Sequence, residues 1–151
     1  MGKDLLIGIT GGGVMHTDSS HIPSLEEQFA MVKESGVYDY FDKTPPTEEI
    51  NKYIKLSEKY DLPILAGGWF YVLGRDEKLL EDNLKKGAAL GSRVHNTQIK
   101  TNHADGHIVT NEEVEEIYLR AYEIGEKVGC YPTFEVHVNM WSEAVSYTHL
   151  R

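Results

Sequence analysis

In Thr133-Phe134-Glu135-Val136-His137-Val138-Asn139, apolar and polar side chains alternate without interruption. Neighbouring residues of a strand point to opposite faces, so Phe134, Val136 and Val138 share one side and Glu135, His137 and Asn139 the other. Strands of an open doubly wound sheet carry helices on both faces and run apolar throughout. The inner face of a parallel barrel instead turns polar towards its C-terminal mouth. One apolar and one chemical face over residues 133–138 therefore favours a barrel.

The same unit recurs upstream. Leu5-Leu6-Ile7-Gly8-Ile9-Thr10 is a strand-like run ending in Gly11-Gly12-Gly13, and Ser24 with Glu27 forms a capping box before a helix that stops at Gly36. A second strand is predicted over residues 37–41, and Thr47 is the expected N-cap of a helix reaching Tyr60. Residues 62–66 read as the third strand, 76–90 as the third helix and 94–100 as the fourth strand. Thr110 and Glu113 form a second capping box, opening a helix through Val128 that Gly129 closes before the fifth strand.

Strand and helix alternating every 30 residues or so is the pattern of right-handed βαβ units. The expected fold is α/β: a partial (β/α)8 TIM barrel with its first five strands, four helices and a parallel sheet. A whole barrel needs about 250 residues, and this chain has 151, so residues 1–143 are expected to be the N-terminal half. Ala144 to Arg151 resembles the translation of a sequencing adapter and is read as a non-native tail.

Composition narrows the function. The net charge is −9 and no basic stripe gathers on any helix, which argues against nucleic acid as a partner. No apolar run approaches the roughly 20 residues of a membrane span, and no signal-peptide pattern opens the chain. The single cysteine, Cys130, cannot form an internal disulfide. The expectation is a cytoplasmic protein with no membrane partner, for which a homo-oligomer is allowed.

Glu135 is the foremost candidate for chemistry. A carboxylate in an apolar strand is costly to bury unless it is paired or holds a metal, and His137 shares its face. A lysine such as Lys100 is the alternative partner for Glu135. His103, Asp105 and His107 occupy a loop after the fourth strand and suit a polar substrate or a metal, a solvated turn at Asp105-Gly106 being the plainer alternative. These groups and Glu135 are expected to gather round one cavity. Trp69 and Phe70 follow Gly67-Gly68 and would wall a sugar ring, or simply pack under a loop. His16, Asp18 and His21 fall in the loop after the first strand, where solvation is favoured, and His95 should lie low in the barrel. Gly11-Gly12-Gly13 lacks the spacing of a phosphate-binding fingerprint. Cys130 precedes its strand and lies far from the mouth.

Gly8-Ile9-Thr10, Thr101-Asn102-His103-Ala104-Asp105-Gly106-His107 and above all Phe134-Glu135-Val136-His137-Val138-Asn139-Met140-Trp141-Ser142-Glu143 resemble the xylose isomerase-like sugar phosphate isomerase/epimerase superfamily, over residues 1–143. The resemblance implies a metal-dependent barrel using Mn²⁺, Mg²⁺, Co²⁺ or Zn²⁺. It makes Glu135 the metal ligand and, as in many members, a bridge to proton transfer; on the reading of the residues themselves His137 stands beside it as catalytic, and His103, Asp105, His107 and Trp69 as substrate contacts. Of the family's four ligands only Glu135 carries over, the others coming from later strands. The implied partner is a small sugar or sugar phosphate and the implied reaction isomerisation or epimerisation. A hydrolase of the endonuclease IV-like branch and a non-catalytic sugar-binding barrel are the alternatives.

Overall fold

The computed structural model describes residues 5–14 and 21–143; His16, Asp18 and the tail at 144–151 lie outside them. The order is β1 (Gly8–Thr10), α1 (Leu25–Ser35), β2 (Tyr40–Asp42), α2 (Ile50–Tyr60), β3 (Gly68–Tyr71), α3 (Glu77–Ala89), β4 (Val94–Ile99), α4 (Asn111–Val128) and β5 (Tyr131–Phe134). All strand pairs are parallel: β1 lies beside β2, and β3, β4 and β5 follow in sequence.

Both capping boxes form. Glu27 N donates to Ser24 Oγ at 3.3 Å and Ser24 N to Glu27 Oε2 at 2.7 Å; Thr110 and Glu113 repeat this at 3.3 and 2.8 Å. Each box satisfies two backbone donors that a helix start leaves open. Thr47 does not cap α2. Pro46, fixed in an extended conformation, instead starts a 3-10 turn over Thr47–Glu49, and the α-helix begins at Ile50.

The third strand differs most from its expectation. Residues 62–66 are not its ladder; β3 lies a few residues later. The chain kinks at Ala66 and Gly67, with φ of 60° and 83°, and so serves two neighbours in turn. Before the kink Ile64 bridges Phe41, with Phe41 N donating to Pro63 O at 2.9 Å and Leu65 N to Phe41 O at 3.2 Å. After it, Gly68 to Tyr71 pairs with Asn96 to Ile99. This continuous path yields the sequential strand order that a barrel requires.

β5 also ends before its expected limit. Its last ladder bond beyond Phe134 runs from Glu135 N to Thr97 O at 3.1 Å. The buried Ser142 hydroxyl then takes over, donating to Glu135 O at 3.0 Å and accepting from His137 N at 3.2 Å. This turns the chain away from β4. β1 and β2 begin later than expected, at Gly8 and Tyr40, and β2 runs on to Asp42; just ahead of them Asp39 accepts from Ile7 N at 3.0 Å.

Two apolar clusters lie under the helices. Phe29, Val32, Tyr53 and Leu56 pack on Phe41 and Ile64; Leu80, Leu84, Val114 and Ile117 pack on Tyr71 and Ile99. In β4, His95, Thr97 and Ile99 are buried while Asn96 and Gln98 alternate with them. Phe134 meets Tyr118 of α4 at 6.1 Å between ring centroids, but Val136 is 56% exposed rather than packed under a helix. β5 is the edge of its sheet, so no further strand holds that face against a helix.

Candidate functional site

A cavity of about 430 Å³ is lined by residues from all five strand regions, among them Thr10, Asp42, Gly68, Asn96 and Glu135. The period-two rule puts them there. Asn96 and Gln98 sit opposite the buried His95, Thr97 and Ile99, and Gly68 and Phe70 are in register with them on β3.

Glu135 is held by amides rather than by a lysine. Asn96 Nδ2 donates to its Oε2 at 2.6 Å and Gln98 Nε2 to the same oxygen at 2.5 Å. Among the described residues, Oε1 has no hydrogen-bond partner, and the buried Gln98 Oε1 likewise has none. Lys100, the alternative partner, lies over the Phe70 ring at 4.8 Å.

Asp42 and Lys43 complete the polar lining. Asp42 Oδ1 accepts from Gly67 N at 2.9 Å; burial, and secondarily the charge of Glu135, raise its carboxyl pKa. Lys43 Nζ donates to Gln28 Oε1 at 2.7 Å, and burial lowers the pKa of its ammonium. Glu135 and Asp42 both line the cavity, and carboxylate oxygens are the donors that a hard divalent ion prefers.

The remaining candidates divide. Trp69 lines this cavity; His137 does not, because the chain turns away after Glu135 and the imidazole meets the Phe70 ring edge-on at 6.1 Å between centroids. His103, Asp105 and His107 do not join it. An antiparallel bridge between Asn102 and Ile108 folds their loop back, and His107 Nε2 donates to Glu113 Oε1 at 2.9 Å on the first turn of α4. His103 lines a separate cavity of about 450 Å³ with Leu73, Glu77 and Ile117. In the loop itself, hydrogen bonds from the His107 backbone and side chain hold the Asp105 carboxyl down to about 2, while Glu113 and Asp105 raise the pKa of His107. His21 contacts Glu27 at 3.3 Å, on the outer surface.

His95 is 1% exposed, as its low position implies, and contacts the Tyr71 hydroxyl at 2.6 Å. Asn83 Nδ2 donates to that hydroxyl at 2.7 Å, so the Tyr71 proton goes to His95. Cys130 is buried, and burial pushes its thiol up to about 11. Neither lines the cavity that holds Glu135.

Sequence reasoning missed Asp42, Lys43, Asn96 and Gln98. The last two fall in His95-Asn96-Thr97-Gln98, where every member is polar, so no alternation of apolar and polar residues marked one face as chemical.

No family model matches the sequence, and no curated protein matches it significantly. Solved structures do match in fold. A sugar phosphate isomerase/epimerase from Parabacteroides distasonis superimposes with a TM-score of 0.55 at 15% identity, covering 85% of this chain and 50% of that one. The chain therefore spans about half the length of that structure. It has the fold of a partial (β/α)8 barrel. A type I 3-dehydroquinate dehydratase from Clostridium difficile gives a TM-score of 0.53 at 12% identity, over 97% of this chain and 67% of that one. A 3-dehydroquinate dehydratase from Geobacillus kaustophilus gives 0.50 at 15%, over 97% and 69%. Likeness of this degree carries the barrel and not the reaction, since one barrel hosts many chemistries. No helix among the described residues is long and apolar enough to cross a membrane.

Proposed function

We propose that these five strands and four helices are the first part of a divalent-metal-dependent sugar or sugar phosphate isomerase/epimerase acting in the cytoplasm. The observation that carries the reading is Glu135: a carboxylate just past β5, fixed through Oε2 by two amides, in a cavity lined from every strand region. Such fixation holds one oxygen in place and leaves the other for a ligand. A bound divalent ion would polarise adjacent carbonyl and hydroxyl oxygens of the substrate.

The chain's own groups supply the rest. Asp42, whose raised pKa makes it a better proton carrier than an ordinary aspartate, suits proton transfer next to a carbonyl. Lys43 offers an ammonium to a substrate oxygen in the same cavity. Trp69 and Phe70 offer aromatic surface to the apolar face of a sugar ring. A nucleic-acid hydrolase is disfavoured by the −9 charge, because phosphate backbones bind through positive charge.

The test is deuterium uptake from D₂O at the carbon next to the carbonyl, followed by NMR. A panel of free and phosphorylated ketoses is offered to the whole barrel, with and without Mn²⁺. Exchange should require the ion and be lost in Glu135→Gln. Metal-independent exchange, or a normal rate in that variant, overturns the reading.

A further inference from the structure

The loop that leaves β4 carries a second constellation of ligating groups, away from the Glu135 cavity. His103 N donates to His107 O at 2.9 Å and Gly106 N to His103 O at 3.0 Å, so the chain reverses within a few residues. Gly106 takes a φ of 97°, the left-handed conformation that such a reversal needs. The reversal makes the two histidines cross-strand neighbours, their rings stacked with centroids 4.5 Å apart. Asp105 Oδ1 lies 3.1 Å from His103 Nδ1 and 2.6 Å from His107 Nδ1. One ligand atom from each of the three residues falls within 4.8 Å of the others.

The surroundings prepare these atoms for a cation. Glu113 accepts from His107 Nε2 at 2.9 and 3.1 Å, which places a proton on that nitrogen and turns Nδ1 towards Asp105. A carboxylate that orients a histidine through its far nitrogen is the usual support of a metal-bound imidazole. His103 Nδ1 accepts from Asp105 N at 3.3 Å and lies 3.1 Å from Asp105 Oδ1. The possible ligand atoms thus meet at one carboxylate oxygen, where a divalent ion would replace the proton that His107 Nδ1 donates to Asp105.

Neighbouring elements hold the cluster in place independently of its own contacts. Gly74, with a φ of 81°, seats the His103 imidazole, and any Cβ at that position would collide with the ring. Leu73 O accepts from Ala104 N at 2.8 Å. The adjoining cavity is lined by Glu77, Glu113 and Glu116 against the single Arg120, so its acidic groups favour entry of a cation.

We propose that His103, Asp105 and His107 form a binding site for a zinc-type divalent ion, separate from the Glu135 cavity. Two imidazole nitrogens and one carboxylate oxygen are the three-ligand set that Zn²⁺ takes when a fourth position stays open to water or substrate. The mixed donors also select against Mg²⁺, which prefers oxygen alone.

The test is calorimetric titration with Zn²⁺ of the metal-stripped protein in Mg²⁺-containing buffer, with circular dichroism to verify each fold. The wild type should bind one equivalent, and Glu135→Gln should bind it unchanged. Asp105→Asn, which can keep the turn hydrogen bond to His107 N, and His103→Ala should each abolish it. Glu113→Gln keeps a capping side chain and should weaken it by roughly tenfold. No Zn²⁺ binding by the wild type, binding unaffected by both His103→Ala and Asp105→Asn, or binding lost only in Glu135→Gln would each overturn the proposal. The Glu135→Gln arm separates this site from the proposed isomerase centre, since either can fail while the other stands.

Discussion

Asn96 and Glu135 lie on neighbouring chain segments, and the Asn96 amide donates to Glu135 Oε2 at 2.6 Å. The ladder sets this meeting: Asn96 pairs with Thr133, and Glu135 N donates to Thr97 O at 3.1 Å. Asn96→Ala removes one of the two amides that fix Glu135 and leaves Gln98 alone. In the whole barrel, Mn²⁺ affinity should fall by about tenfold. Stability should change by about 1 kcal/mol or less, because only one partly buried hydrogen bond goes. Relaxation of water protons by bound Mn²⁺ reads the first effect and urea unfolding the second.

Phe29 is fully buried on α1, edge-on to Phe41 of β2 at 5.1 Å between ring centroids. Phe29→Ala should cost about 3–5 kcal/mol, the range for large aromatic truncations in a core. Urea denaturation checks this; a loss below about 1 kcal/mol would show that α1 is not packed as described.

The two capping boxes and the glycine stops at Gly36 and Gly129 were legible because they depend on residues close in sequence. Strand ends were not, because partners set them: Ser142 diverts the chain after Glu135, and the kink at Ala66 and Gly67 moves the third ladder to residues 68–71. The same limit applies to the site. Alternation exposed Glu135 as chemical, yet its amide partners come from β4, and the tie between His107 and Glu113 carries the histidine loop to another cavity. Nothing local in the sequence announces such meetings.

His95 makes stability depend on pH. Burial, with a smaller contribution from Lys86, lowers its pKa from 6.5 to about 4. Between those values the unfolded chain binds the proton and the folded chain does not, so stability falls as pH drops from about 6.5 towards 4. At roughly 1.4 kcal/mol per unit, the loss attributable to His95 is about 3 kcal/mol. Tyr71 can donate to a glutamine oxygen in its place, so His95→Gln should fold and lose this part of the slope. Urea midpoints of both proteins at pH about 7 and about 4.5 check it; equal slopes would refute the assignment.

The kink that lets one segment serve both β2 and β4 rests on Gly67. Its φ is 83°, a region costly for any residue with a side chain, and a Cβ there would meet the Lys43 carbonyl and the Thr44 hydroxyl at 2.8 Å. Its N–H also donates to Asp42 Oδ1 at 2.9 Å, so the kink and the cavity share an atom. Gly36 supplies the control: φ is 64°, but open space surrounds the position of a Cβ. Gly36→Ala should therefore cost only the conformational penalty, about 1 kcal/mol. Gly67→Ala adds a collision with backbone that cannot swing aside, so it should cost about 2 kcal/mol or more beyond the control. It should also move the amide of residue 67 off Asp42, visible as a shift of that resonance in a nitrogen–proton NMR spectrum. Equal losses for the two alanines would mean that β3 tolerates a side chain at its bend, and the kink would then owe nothing to glycine.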